Sequence, residues 1–287
     1  RSRGLGDVYK RQEQNKTHIE VVDHFLTKEK FKIQKTSVSG LLQTIPAPTK
    51  DDIIKYYKSD RYISHNSRKK GVFFFFYRFL RSINFYAKYR FLSSNKNHRN
   101  VLDFGSGEGY FLNKLKKSGI KACGVESSAT ASLTTVYKSI FAEQLNSQKF
   151  SHITAWHSIE HVHELEKTIS RMYDLLDEKG TIIVGVPNYL SFDARYYKGF
   201  WAAYDVPRHL WHFDKKSLKE VFENKGFKLV KSSPMILDAY YVSLLSESYK
   251  KSTFKILKSI FVGTISNTLA LFTKEYSSNI FVFKKLR

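Results

Sequence analysis

Val101-Leu102-Asp103-Phe104-Gly105-Ser106-Gly107-Glu108-Gly109 sets a short apolar run directly before three glycines at alternate positions. The run predicts a buried strand over Val101–Phe104, and the glycines predict a tight turn whose backbone approaches a ligand closely. A helix is predicted next, over Tyr110–Lys117. In an α/β sheet such a turn lies at the carboxyl edge, where ligands bind. The glycines alone do not choose among ligands, but the carboxylates do. Asp103 ends the strand and Glu108 sits inside the turn, so a pyrophosphate would meet two negative charges where a helix N-terminus ordinarily welcomes an anion. The spacing Gly-x-Gly-x-Gly also departs from the Gly-x-Gly-x-x-Gly of dinucleotide sites, and no Gly-Lys-Ser/Thr follows. A cationic ligand without phosphate suits this loop.

Outward from the loop, Ala122–Val125, Ile153–Trp156, Thr181–Val186, Phe227–Lys231 and Asn279–Phe283 read as strands. Helices are predicted over Glu164–Leu176 and over residues 215–225, the second capped by Asp214. This alternation predicts an α/β fold, a doubly wound and mostly parallel seven-stranded sheet. A small N-terminal lobe precedes it, and a helical insertion at about 235–277 precedes the last strand. The 187–213 stretch and that insertion exceed ordinary connections, which makes them candidates for substrate binding. Glu126 lies just past the second strand, where an acid accepts hydrogen bonds from ribose hydroxyls; a solvated acid at a strand end is the plainer alternative.

Four divisions follow. Residues 1–12 end in Asp-Val-Tyr-Lys-Arg-Gln, resemble the translated end of a sequencing adapter, and are set aside from fold reasoning; a genuine basic tail is the alternative. Residues 13–70 form a lobe with few regular signals beyond Pro46, Pro48 and a short helix after Asp51-Asp52. Residues 71–98 read as a covering helix, and 99–287 as the main domain.

Hydrophobic residues make up 42% of the 287, too many for a disordered chain. The single cysteine, Cys123, excludes an internal disulfide framework and points to a reducing, cytoplasmic setting. The net charge of +22 suggests an anionic partner: nucleic acid, a membrane surface or an acidic substrate. A genomic base bias would produce the same lysines without any partner. Residues 61–100 hold ten Lys or Arg and no Asp or Glu, among eleven aromatics. Those charges exclude a spanning helix at 72–92; a helix over the domain or on a membrane surface fits.

Taken together, the loop, Glu126, His152-Ile-Thr-Ala-Trp-His-Ser-Ile-Glu-His-Val162, Leu176-Asp-Glu-Lys-Gly180 and Val186-Pro-Asn188 resemble class I S-adenosylmethionine-dependent methyltransferases over about residues 99–235, with the last strand near 280. The cofactor so implied carries a sulfonium and an ammonium and no phosphate, in keeping with the acidic loop. By this resemblance Asp103, Gly105, Ser106, Gly107 and Gly109 hold its methionine end, Glu126 and Ser127 flank its ribose, and Ala142 approaches adenine. Trp156 and His157 line the pocket. His157 and His161 are the candidate general bases, needed only if the acceptor must lose a proton.

Trp201-Ala-Ala-Tyr-Asp-Val-Pro-Arg-His-Leu-Trp-His-Phe213 is similar to a signature of a bacterial ubiquinone-biosynthesis-like subfamily. It implies that Trp201, Asp205, Arg208, His209 and His212, with Asn188, face the acceptor or lock the loop, an internal Asp205–Arg208 pair being the structural alternative. Ubiquinone-pathway O-methyltransferases have a related Glu-x-x-Glu-His motif thought to hold a divalent metal. Here His157 replaces one carboxylate; imidazole is a metal ligand as well, so the motif leaves a metal open, and none is assigned. The subfamily's zinc-ribbon knuckle corresponds to Thr36–Gly40, which has no cysteine, so no structural zinc is expected. The reading is methyl transfer to a small or lipid-linked acceptor at oxygen; the segment 72–92 and the Lys-bearing apolar stretch 254–272 read either as peripheral membrane contacts or, more plainly, as helices packed over the sheet. RNA or DNA methylation fits the charge but lacks the Asn/Asp-Pro-Pro-Tyr/Phe motif. A non-catalytic cofactor-binding protein is the third reading.

Overall fold

In a computed structural model that describes residues 16–57, 85–92, 100–127 and 135–286, the apolar run ahead of the glycines is strand β4 (Asn100–Phe104), inside a seven-stranded sheet. Its companions are β5 (Lys121–Val125), β6 (Val136–Tyr137), β7 (Phe150–Trp156), β8 (Leu176–Pro187), β10 (Phe227–Pro234) and β11 (Ser278–Lys285), in the order β10-β11-β8-β7-β4-β5-β6. Strands β4 to β8 are parallel to one another, while β11 runs antiparallel between β8 and β10. This is the doubly wound, mostly parallel sheet that the sequence predicts. The chain leaves β4 toward β5 and β6 on one side and returns to β7 on the other. The order of the strands therefore reverses beside β4, and its carboxyl end becomes the place for a ligand.

Burial alternates along the strands, as their pleat requires. Leu102, Ile182, Val184, Phe281 and Phe283 face one core. That core is closed by Ile169 and Met172 of helix α2 (Leu165–Leu175) and by Leu218 and Phe222 of helix α4 (Lys215–Glu223). Val101, Ile183, Ile280 and Val282 face the opposite core, with Phe111, Leu112 and Leu115 of helix α1 (Tyr110–Lys117). Phe85 and Leu92 join that second core, and residues 85–89 are helical. The rest of the covering helix expected at 71–98 lies outside the described residues, as does the segment 1–12. Asp214 caps α4 as expected, accepting from the Ser217 amide at 2.7 Å while the Ser217 hydroxyl returns a bond to Asp214.

The N-terminal lobe is more regular than its sequence suggests. Strands β1 (Thr17–Val22), β2 (Lys30–Lys35) and β3 (Leu42–Ile45) form an antiparallel meander, and a two-residue strand β9 (Trp211–His212) completes the sheet against β3. Phe31 and Ile33 are buried between exposed Lys30 and Lys32, a period-two pattern short enough to escape notice. The Thr36–Gly40 stretch lies between β2 and β3. The lobe shares a core with the 187–213 stretch, where Val21, Phe31 and Tyr56 pack with Tyr197, Trp201 and Tyr204. Within that stretch lies helix α3 (Phe192–Tyr197). The expected insertion consists of helices α5 (Ile236–Tyr249) and α6 (Lys255–Thr273).

Arg208 pins the lobe to the domain. Its guanidinium is 1% exposed; Nε donates to both Asp205 oxygens at 3.0 Å, Nη1 to the Tyr56 carbonyl at 3.0 Å, and Nη2 to Asp23 Oδ1 at 2.9 Å. Asp23 also accepts from the Phe25, Leu26 and Thr27 amides. Replacing Arg208 with Met leaves the buried Asp23 carboxylate without its counter-charge. Urea unfolding of R208M is expected to show a loss of about 3–5 kcal/mol; a loss within error of zero would refute the joint.

Candidate functional site

At the end of β4 the chain makes the glycine turn, and the turn's amides are used internally. Gly105 and Ser106 N–H both donate to the Val125 carbonyl, at 2.8 and 3.0 Å, and Gly109 N–H donates to the Ser106 carbonyl at 2.9 Å. Gly107 N–H donates to Glu126 Oε2 at 2.8 Å. These four groups are thus turned away from any anion. Glycine is required where the turn meets its surroundings. Gly105 has φ +72°, and a Cβ there would stand 2.3 Å from that of Ser158. Ser158 in turn donates to the Phe104 carbonyl at 2.9 Å, tying β4 to the segment after β7. At Gly107, φ is +52° and the space a Cβ would take is open.

A cavity of about 250 Å³ opens over this turn, lined among others by Asp103, Ser106, Tyr110, Phe111, Trp156 and Lys88. Asp103 is buried and accepts one bond on Oδ1, from Thr154 at 2.7 Å. Burial pushes its carboxyl up to about 6, against the pull of the Thr154 bond and of Lys88. Lys88 lies with its ammonium 4.7 Å from the Trp156 ring centre, and burial lowers its pKa despite Asp238 and Asp103 nearby. Ser106 Oγ and Trp156 Nε1 are buried without a hydrogen-bond partner among the described residues. The cavity thus sets the Asp103 carboxylate and the Lys88 ammonium among aromatic rings. An acidic group at the turn fits S-adenosylmethionine, which brings a sulfonium and an ammonium.

His157 follows β7 in the left-handed region, with φ 50°, its amide held by the Gly185 carbonyl at 2.9 Å. Nε2 stands 3.0 Å from Asp238 Oδ2, and Nδ1 stands 3.5 Å from Glu160 Oε1. Burial opposes the charged ring, but the two carboxylates outweigh it and lift His157 to about 9. Asp238, in the first turn of α5, is the residue that sequence reasoning missed. Its signal was faint: it is the only Asp or Glu between Glu223 and Glu247.

His161 and His209 turn toward the lobe and its joint. His161 Nδ1 lies 2.9 Å from the Arg208 carbonyl and 3.0 Å from the Tyr57 hydroxyl, and His209 Nδ1 lies 2.8 Å from the Ala203 carbonyl. A carbonyl only accepts, so each ring carries a proton on Nδ1. Glu160 is 1% exposed, neither of its oxygens accepts a hydrogen bond, and the His157 and His209 rings lie 3.5 and 4.0 Å from its Oε1. Burial raises this carboxyl, but its contact with the charged His157 ring, ahead of the other histidines, holds it at about 2. Burial, then His161, lowers His209 to about 4, so the ring is neutral near pH 7. Glu160, His161 and His209 bring one ligand atom each within 4.8 Å of one another. A carboxylate and two imidazoles are donors that a divalent cation accepts, although the sequence motif had assigned none.

The remaining candidates make hydrogen bonds within the protein. His212 Nε2 lies 2.9 Å from the Thr44 hydroxyl, and Trp201 Nε1 donates to Asp193 Oδ2 at 2.8 Å. Asn188 Nδ2 donates to Glu275 Oε2 at 2.7 Å. Asp205 pairs with Arg208, the alternative that the sequence had left open. Ser127 is exposed beyond β5, and Ala142 precedes the short turn Glu143–Leu145 after β6; neither lines the cavity.

The profile of the methyltransferase-domain family matches residues 75–232. Curated protein sequences contain no match. Among solved structures, an S-adenosylmethionine-dependent methyltransferase from Archaeoglobus fulgidus is 22% identical, over 75% of this chain and 100% of that one, with a TM-score of 0.47. Phosphoethanolamine N-methyltransferase 2 from Haemonchus contortus, in complex with S-adenosylmethionine, is 17% identical over 71% of this chain and 52% of that one, with a TM-score of 0.47. Magnesium protoporphyrin IX methyltransferase from Synechocystis, with bound S-adenosylhomocysteine, is 13% identical over 82% and 99%, with a TM-score of 0.50, a likeness of fold.

The turn yields a paired prediction. Gly107→Ala meets open space, so its cost is the left-handed backbone alone, about 1–2 kcal/mol. Gly105→Ala adds the collision with Ser158, about 1–3 kcal/mol more. Urea unfolding of both variants checks the order; equal losses would contradict the packing at Gly105.

Proposed function

The chain belongs to the methyltransferase-domain family, and from that premise we propose that it moves the methyl group of S-adenosylmethionine to an oxygen of a small or lipid-linked acceptor. The observation that carries the reading is the charge of the glycine turn. Four of its amides are tied within the protein, and Asp103, Glu108 and Glu126 give it three carboxylates. When bound, the cofactor supplies a methyl already activated on a sulfonium. The protein's task is then chiefly to hold two groups in line and keep water out. Asp103 and Ser106 Oγ hold the cationic methionine end, and Glu126 turns its carboxylate to the ribose. Phe111 and Trp156, edge to face at 5.8 Å, wall the cavity with apolar surface.

An oxygen acceptor must give up a proton, and His157, which does not line the cavity itself but follows the lining residue Trp156 in the chain, is the base assigned to take it. Its Nδ1, at 3.5 Å, is held more loosely than Nε2 and is the nitrogen free to exchange Glu160 for an acceptor hydroxyl. Asp238 orients the ring. His161, tied to Arg208 and Tyr57, holds the 201–213 loop beside it. A cytoplasmic setting accords with this chemistry and with a single cysteine.

Calorimetric titration with S-adenosylmethionine is expected to show saturable binding that weakens at least about tenfold, or about 1.4 kcal/mol, in Asp103→Ala and in Glu126→Ala. The cofactor's cations favour the charged carboxylate, so affinity should fall as pH drops through about 6, the value of Asp103. No binding by folded protein would overturn the reading. Once an acceptor is found, turnover should rise with pH up to about 9, where His157 loses its proton. Asp238→Asn removes a stabilising negative charge from the imidazolium, so the rise should move to lower pH. An unmoved rise would exclude His157 as the base.

A further inference from the structure

We propose that helix α6 seats its outer face in the headgroup region of an anionic lipid bilayer, with the helix lying in the plane of the surface. Helix α6 is 19 residues long and is long and apolar enough to cross a membrane, yet only 28% of it is buried. The buried part is a stripe of mostly small residues, Ser259, Val262, Gly263, Ser266 and Ala270. The opposite stripe carries Leu257, Ile260, Phe261, Leu271 and Phe272, from 52% to 82% exposed. A core helix turns such residues inward; here the small residues face the protein and the large apolar ones face out. Soluble monomers rarely expose so continuous an apolar patch without a partner.

The charges identify that partner. Between Glu247 and Glu275 the chain holds Lys250, Lys251, Lys255, Lys258 and Lys274 and no Asp or Glu. All five are exposed and stand at the two ends of α6 or in the turn before it, while residues 259–273 between them carry no charge. An apolar stripe bracketed by lysines matches an acyl layer under anionic headgroups. A soluble protein partner would call for no such separation of lysines from the apolar stripe.

The inner face keeps the helix from crossing. Ser266 Oγ donates to the fully buried Asp193 at 2.7 Å, and a Cβ on Gly263 would stand 2.6 Å from the Tyr240 ring. The helix is therefore fastened along its length to α3 and α5. Because α5 also carries Asp238, the partner of His157, the lipid-facing hairpin adjoins the candidate site, where an acceptor drawn from a bilayer would arrive.

The test needs no cofactor, so its outcome is independent of the methyl-transfer reading. The full chain is floated with vesicles of pure phosphatidylcholine, and with vesicles in which one third is phosphatidylglycerol. Flotation with the anionic vesicles alone, reduced by high salt, is expected. The double variant Phe261→Glu/Phe272→Glu should lose it by about tenfold or more, and Lys255→Gln/Lys258→Gln should lose it in part. These side chains are exposed, so thermal unfolding should not change. Three results would overturn the proposal: no flotation of folded protein, equal flotation of the double variant, or a solution dimer that does not float and that the double variant converts to monomer. The last would assign the face to a second copy of this chain.

Discussion

Arg208 is a single buried cation on which two parts of the chain depend. A guanidinium taken out of water is tolerable only where its N–H groups find acceptors. Here those acceptors are Asp205 three residues earlier, Asp23 in the turn after β1 and the Tyr56 carbonyl before residue 58. Asp23 is itself held by three backbone amides, so the ion pair reaches into the hydrogen bonding of the lobe's first turn. The Arg208 carbonyl receives His161. The same residue thus fixes the lobe, the 201–213 loop and the first residues after β7.

That arrangement explains the charge pattern beside the cavity. The segment after β7 has to carry His157 toward Asp238 while Glu160 and His161 turn the other way, toward the loop. The left-handed conformation of His157 is the local expression of this division. The result is two electrostatic environments around the buried Glu160: His157, kept charged by Asp238 and Glu160, and His209, kept neutral by burial. The glycine turn forms a third, where tied amides and an acidic lining suit a cationic ligand.

The helical insertion contributes on both its sides. Its inward face supplies Asp238 and the small residues that let α6 pack closely on α5. Its outward face is apolar with lysines at the ends. A role for that face in acceptor delivery would require no motion of the sheet, since α5 already touches the candidate base.

Much of this protein was decided locally and could be read locally. Alternating apolar residues, the glycines at 105, 107 and 109, and the Asp214 cap specify strands, a turn and a helix start through contacts within a few residues, and the seven-stranded sheet follows from their order. The acidic character of the turn was equally legible, because Asp103, Glu108 and Glu126 flank it in the sequence. Pairings between distant segments were not. The fourth strand of the lobe comes from Trp211–His212, and two residues carry no periodicity to read. Arg208 could be expected to pair with Asp205, but Asp23 lies 185 residues away. The same holds for Asp238 against His157 and for the meeting of His209 with Glu160 and His161. Hydrogen bonds and charges act over a few ångströms of space, and only the folded chain decides which of its residues come that close.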